Sequence, residues 1–320
     1  MNETPRIGYS LSSEEHGPNE LVGYARRAEE AGFDYAMISD HFHPWIDEQG
    51  SSPFVWSVLG GIARETERIP IGTSVTCPTI RYHPALIAQA AATIAAMLPG
   101  RFTLGVGTGE NLNEHIYGDR WPPWDVRAQM LEEAIEIIRA LWEGDWVTYR
   151  GNHYVLENAK LYTLPDEKPP IAVAAGGPKA AELAGRLGDA LIDYTADARV
   201  VNGFQEAGGE GKPRYVQLNV CWHEDEAEAR RRAHRICPNV ALPGELGNQL
   251  PHPKHYEQAV STVTEDDVAE VITCGPDAER HHDAIRACLD AGFDHVHVYQ
   301  VGEQEKFFDF YEREILPQLR

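Results

Sequence analysis

The chain has 320 residues, 42% of them hydrophobic, and carries a formal net charge of −22. That length and apolar content suit one large α/β barrel or two ordinary domains, and the charge argues against nucleic acid and anionic membranes as partners. No apolar run approaches the roughly 20 residues of a membrane span and no basic start leads into an apolar stretch, so a soluble, cytoplasmic protein is expected.

Cys77, Cys221, Cys237, Cys274 and Cys288 are odd in number and widely spaced, with no C-x-x-C pair. They read as small buried side chains, neither a disulfide frame nor a zinc site. Lysine is scarce while carboxylates abound, as in Glu224, Asp225, Glu226 and Glu228. Such a composition stays hydrated at molar salt, where repulsion is screened within about 3 Å; a salt-loving host and an ordinary acidic protein both fit it.

Helical and strand-like segments alternate along the chain. Arg6 to Leu11 reads as a first strand, and Leu21, Ala25, Ala28 and Ala31 form a helical stripe that stops at Gly32. Tyr35 to Asp40 is a second strand, followed by a helix from Phe54 to Arg64 and a third strand from Pro70 to Val75. Pro84 opens a helix with Ile87, Ala91, Ile94 and Leu98 on one face, ended by Pro99-Gly100. Arg101 to Gly107 is the fourth strand, and a long helix from Asp125 to Glu143 presents Met130, Ala134, Ile137 and Leu141 at core spacing.

Trp146 to Val155 predicts a hairpin turning near Gly151-Asn152, within an insertion covering about 146–165. Pro170 to Gly177 restores the strand and Pro178 starts its helix. Ala190 to Thr195 and Arg214 to Trp222 are the sixth and seventh strands. Residues 238–263, rich in Pro, His, Gly and Asn, are expected to form a lid or loop insertion. Ala278 to Ala291 is a helix, His295 to Gln300 the last strand and Phe307 to Leu319 a closing helix. The alternation predicts a single (β/α)8 TIM barrel over 1–320; a doubly wound sheet would show a nucleotide fingerprint after its first strand, and Gly8-Tyr9-Ser10-Leu11 is not one.

In such a barrel every strand's C-terminal end faces one mouth. That places together Glu14, then Asp40, His41 and Trp45, then Ser74, Val75 and Thr76, then Thr108, Gly109, Glu110 and Asn113, then Ala175, Gly176 and Gly177. Three acids, a histidine and an indole would converge there with two glycine-rich turns. Gly176-Gly177 leads into a helix whose free N–H groups suit a phosphate, and Gly107 to Glu110 suits the edge of a planar ring. Taken singly, each turn also reads as a tight βα connection needing positive φ, and Asp40-His41 as a helix cap beside a surface histidine. No H-E-x-x-H or other metal-ligand spacing occurs, and no G-x-S-x-G elbow.

Four motifs in order then carry a resemblance: Ser39-Asp40-His41-Phe42-His43-Pro44-Trp45; Gly72-Thr73-Ser74-Val75 with Pro78-Thr79-Ile80-Arg81-Tyr82; Gly105-Val106-Gly107-Thr108-Gly109-Glu110-Asn111-Leu112-Asn113-Glu114; and Ala174-Ala175-Gly176-Gly177-Pro178. Together they resemble the luciferase-like, coenzyme F420-dependent oxidoreductases, in particular the branch of the F420-dependent glucose-6-phosphate dehydrogenases. The resemblance implies a dehydrogenase that passes hydride from a hydroxyl-bearing carbon, of an alcohol or a sugar phosphate, to C5 of F420. It makes His41 the base, Glu110 the acid on the cofactor side, Trp45 the group that holds the transition state, and Glu14 a neighbour of the histidine. An imidazole exchanges protons near neutral pH, which suits the first of these roles.

The resemblance further implies that Asp40 contacts the cofactor, that Ser74-Val75 is a non-proline cis peptide behind its ring, and that Gly176-Gly177 is a phosphate turn. A homodimer acting on a small molecule is expected with it. The lysines that grip phosphate in the sugar-phosphate enzymes correspond to Asp197 and Gln258, so a neutral alcohol or another hydroxylated compound fits at least as well as glucose 6-phosphate. An FMN-dependent monooxygenase on the same barrel and a non-catalytic cofactor-binding barrel are the alternatives.

Overall fold

The computed structural model describes residues 5–319. Its strands are β1 (Arg6–Leu11), β2 (Tyr35–Ile38), β3 (Ile71–Thr73), β4 (Phe102–Val106), β5 (Val147–Arg150), β6 (Val155–Ala159), β7 (Ile171–Ala174), β8 (Ala190–Asp193), β9 (Arg214–Cys221), β10 (Thr273–Cys274) and β11 (His295–Gln300). Eight of them pair in parallel in the order β1-β2-β3-β4-β7-β8-β9-β11, and β11 returns to β1, so the sheet closes into a barrel. Short β10 extends the end of β9, and β5 and β6 form a separate antiparallel hairpin. The (β/α)8 expectation is met.

The strands are short because both of their faces are buried. All four residues of β2 and all three of β3 are buried, which leaves room for apolar or small side chains only. Inside the barrel, a Cβ on Gly8 would meet the Tyr35 ring at 2.5 Å, and one on Gly105 would lie 1.8 Å from the Thr73 carbonyl oxygen. Glycine at these positions lets the strands close. Tyr35, Tyr215 and His295 pack ring against ring at the strands' N-terminal ends, with centroid separations of 5.4 Å for the two tyrosines and 4.4 Å for Tyr215 and His295. That aromatic layer fills the floor, so chemistry is left to the other end.

Outside, the helices turn one apolar stripe inward. Pro18–Ala31 buries Leu21, Ala25, Ala28 and Ala31, and stops where Gly32 takes φ 88°, as its stripe predicts. Pro84–Met97 and Trp124–Leu141 bury Ile87, Ala91 and Ile94, and Ala134, Ile137 and Leu141. All five cysteines are free and buried. No helix among the described residues is long and apolar enough to cross a membrane.

Differences from the sequence reading are local. The third strand stops at Thr73 instead of Val75, because the chain turns there through a cis Ser74–Val75 peptide bond. Residues 238–263 contain short helices, Leu246–Gln249 and Pro253–Ala259, with 3-10 turns on either side of them. Glu226–Ile236 is a helix that the reading passed over: only Ala229, Ala233 and Ile236 are buried, and three such residues among arginines and glutamates make a faint stripe. The closing helix spans Glu305–Phe310 and continues as wider and tighter turns to Gln318.

Candidate active site

The loops after β1 and β2 are stitched together before any reactive side chain is placed. Ser13 N–H donates to Ser39 Oγ at 2.9 Å, and Ser13 Oγ donates to the Ser39 carbonyl at 2.7 Å. Glu14 lies against this seam, 5% exposed, with Oε2 accepting from both Ser12 Oγ and Ser39 Oγ at 2.8 Å. Its other oxygen, Oε1, stands 3.3 Å from His41 Nε2. The far ring nitrogen of His41 lies 3.2 Å from the His43 carbonyl oxygen, and the Trp45 ring packs 5.0 Å from the imidazole. Two acceptors therefore flank the ring and fix its orientation from both sides.

Asp40 is 4% exposed and turns away from this cluster. Thr76 Oγ1 donates to its Oδ2 at 2.8 Å, and Arg81 Nη2 donates to its Oδ1 and to its backbone carbonyl, each at 3.0 Å. The Arg81 backbone N–H donates to Glu114 Oε2 at 2.7 Å while its Nε lies 3.5 Å from Glu114 Oε1. One buried guanidinium thus joins the loops after β2, β3 and β4. Desolvation, opposed by Arg81, pushes the Glu114 carboxyl up to about 7.

Asn113, 1% exposed, closes the ring of loops. Its Oδ1 accepts from Phe42 N at 2.8 Å and His43 N at 3.1 Å, and its Nδ2 donates to Glu110 Oε2 at 3.3 Å. Gly109 holds φ 79°, and a Cβ there would come within 2.6 Å of Cys77 Sγ. Positive φ is therefore needed in this turn. It is not needed at Gly177, whose φ is −179° as the cap of the Pro178–Leu187 helix. That helix has no capping side chain, a Cβ on Gly177 would meet nothing within 4 Å, and it begins just past the end of β7, which leaves its first-turn N–H groups free of a side-chain cap.

Residues 238–263 pack over these loops. Asn111 Nδ2 donates to the Gln249 carbonyl at 2.9 Å, Trp121 Nε1 to Gln249 Oε1 at 3.1 Å, and Asp47 N to Glu257 Oε1 at 3.2 Å. Trp45 meets Tyr256 edge to face at 5.3 Å, beside Ile46, Leu112, Leu242 and Leu250.

The structure gathers Glu14, His41 and Trp45 in one cluster, and Asp40 and Thr76 in a second. Asn113 bridges the His41 loop to Glu110, and Val75 packs beneath Gly107, where a Cβ would come within 2.8 Å of it. Asp197 caps the Ala198–Phe204 helix and pairs with Arg199 Nη2 at 2.6 Å, so its charge has a partner. Gln258 is exposed on the Pro253–Ala259 helix. Sequence reasoning gave no role to Arg81, Glu114, Gln49 or Tyr256. Arg81 and Glu114 lie within the quoted motifs, but only their burial against each other and Asp40 gives them a task.

A family model for luciferase-like monooxygenases matches residues 4–295. The F420-dependent glucose-6-phosphate dehydrogenase of Microbacterium testaceum is 38% identical over 328 residues, covering 98% of this chain and 97% of its own. The enzyme of the same name from Nocardia farcinica is 36% identical, covering 98% of each chain. Among solved structures, an F420-dependent secondary alcohol dehydrogenase in complex with an F420-acetone adduct has a TM-score of 0.92 at 32% identity, across 99% of this chain and 100% of that one. The coenzyme F420 dependent tetrahydromethanopterin reductase of Methanopyrus kandleri, at 20% identity and a TM-score of 0.81 over 99% and 100% of the two chains, shares the fold. The chain belongs to the luciferase-like family. Its relatives at 35–38% identity, matched over nearly their full length, carry the name of F420-dependent dehydrogenases.

Proposed function

We propose that this protein is an F420-dependent dehydrogenase that oxidises a carbon bearing a hydroxyl group. The observation that carries the reading is the His41 imidazole at the barrel mouth, flanked by the Glu14 carboxylate at 3.3 Å and the His43 carbonyl at 3.2 Å.

The residues present fit the cofactor. The uncapped start of the Pro178–Leu187 helix, with open space at Gly177, offers N–H groups to a phosphate of the tail. Val75, Gly107, Thr108 and Gly109 would line the ring, and Asp40 and Thr76, through Arg81, hold the loops that carry it. When bound, coenzyme F420 supplies a carbon that accepts hydride.

His41 takes the hydroxyl proton of the substrate at Nε2, where the substrate oxygen takes the place of Glu14 Oε1, while the His43 carbonyl holds the Nδ1 proton and the nearby Glu14 charge steadies the imidazolium that results. Trp45 shields that imidazole from water on one side. Glu110, held by Asn113 across the mouth, serves as the acid on the cofactor side. Neither Asp197, whose charge is matched by Arg199, nor Gln258 is itself a cation, so a neutral alcohol fits at least as well as a sugar phosphate. A single-domain chain working as a cytoplasmic homodimer completes this reading.

Titration of the purified protein with F420 and with FMN, followed by fluorescence, tests the cofactor. An alcohol and sugar-phosphate panel monitored by F420 reduction tests the reaction. Tighter binding of FMN than of F420, or no F420 reduction with any member of the panel, would refute the proposal.

A further inference from the structure

A line of buried polar groups runs from Trp45 to Glu15, the neighbour of Glu14 in sequence. Gln49 is 7% exposed, Cys237 1% and Tyr299 9%. Trp45 N–H donates to Gln49 Oε1 at 2.9 Å, and Gln49 Nε2 donates to Cys237 Sγ at 3.7 Å. Cys237 Sγ lies 3.1 Å from the Tyr299 hydroxyl oxygen, and that hydroxyl donates to Glu15 Oε1. The other carboxylate oxygen of Glu15 accepts from Gly302 N at 2.9 Å.

Where Glu15 is ionised, the Tyr299 hydroxyl donates to it, and the thiol proton of Cys237 then lies between sulfur and oxygen. Every donor then points the same way, from backbone amide through side-chain amide and thiol to phenol, and the line ends on the carboxylate as acceptor. Aligned donors polarise one another, and the chain strengthens as a unit inside a low-dielectric interior. It joins three distant parts of the sequence, the segment after β2, the end of the Glu226–Ile236 helix and the end of β11, to the residue next to Glu14.

We propose that Cys237 is a positioning residue for the dehydrogenation: its thiol, accepting from Gln49 and donating to Tyr299, fixes the turn that carries Trp45 against His41. The proposal rests on the functional reading above for its kinetic consequence only. A thiol at this point does what an alkyl group cannot, since it must accept and donate at once. A hydroxyl can do the same, so serine is the conservative replacement and alanine the disruptive one.

Two measurements on the full-length protein test this. In hydrogen–deuterium exchange, Cys237→Ala is expected to speed exchange of the Trp45 amide about tenfold, the factor carried by loss of one buried hydrogen bond, while Cys237→Ser keeps it slow. In kinetics, Cys237→Ala is expected to raise KM for the hydroxylated substrate about tenfold, with F420 affinity within about twofold of the parent, and Cys237→Ser to recover most of the loss. Equal impairment of the alanine and serine variants would mean that only packing is lost, and unchanged exchange at Trp45 would mean that the line transmits nothing; either overturns the proposal. Absence of F420-linked turnover in the parent protein refutes the functional reading instead and leaves the exchange experiment to decide on Cys237.

Discussion

Asn113 holds Glu110 through its Nδ2 at 3.3 Å while its Oδ1 accepts the backbone N–H groups of Phe42 and His43, so one buried amide sets the spacing between the proposed acid and the loop of the proposed base. Both ends of the amide are used, and among the described residues no other side chain hydrogen-bonds to these three groups. Asn113→Ala leaves two part-buried backbone donors without their acceptor. The cost of each lies toward the lower end of the roughly 1–3 kcal/mol of a fully buried one. The thermal midpoint should fall by several degrees, and turnover by roughly tenfold or more as His41 and Glu110 lose their common reference. Asn113→Asp keeps the acceptor and should recover stability better than activity, since it places a second carboxylate against Glu110. Differential scanning calorimetry beside steady-state kinetics separates the two effects.

His41→Ala removes the proposed base. Turnover should drop by about 10²–10⁴-fold, the contribution of positioned proton transfer, while F420 affinity by fluorescence titration changes little. Glu14→Gln keeps the hydrogen bonds from Ser12 and Ser39 but removes the charge that faces Nε2. A smaller loss is expected, expressed in kcat rather than KM. Unchanged turnover in His41→Ala would remove the central assignment.

The sequence was legible where a residue's task is local. Gly32 ends a helix through its own φ, and Pro84 and Pro178 begin helices by lacking an N–H, so these boundaries stand in the structure where the pattern puts them. Glu14, His41 and Glu110 were legible for a different reason: parallel βα units send every strand end to one rim. What could not be read is pairing between distant loops. Nothing around Arg81 announces that it joins Asp40 to Glu114, because a buried cation is defined by partners far away in sequence. The Glu226–Ile236 helix escaped because its buried side is mostly alanine, and the short helices within 238–263 because they are too brief to show a period.

Arg81 gives a direct test of that distant pairing. Removing one partner of a buried ion pair costs about 3–5 kcal/mol, because the remaining charge is left without compensation. Arg81→Met leaves Asp40 in that state, while Glu114 can take a proton instead, and it should lower the thermal midpoint more than either carboxylate substitution does. Adding Asp40→Asn to Arg81→Met should restore part of the loss. A double variant less stable than Arg81→Met alone would refute the pairing.

The charge of −22 bears on stability as a whole. Repulsion among exposed carboxylates destabilises the compact state and is screened within about 3 Å at 1 M salt. The thermal midpoint should therefore rise from low to molar potassium chloride. A midpoint that stays level or falls would count against adaptation to salt.

Stability against pH tests the buried carboxyls. Burial pushes Glu15 and Glu114 up from 4.5 to about 7, in each case against hydrogen bonds or charges that favour ionisation. Between these limits the folded chain holds protons that the unfolded chain has released, so the stability contributed by the two groups is lost as pH rises from about 4.5 through 7. His281 and His297 act in the opposite sense. Burial lowers them from 6.5 to about 4 and about 3, so the unfolded chain binds the extra protons and stability rises with pH up to about 6.5. The two pairs oppose one another over most of the same window. Replacing Glu15 and Glu114 together by Gln removes one side of this balance while keeping shape and most hydrogen bonds. Urea midpoints of the double variant should climb more steeply between pH 5 and 7 than those of the parent, and parallel profiles for the two proteins would show that neither carboxyl is protonated on folding.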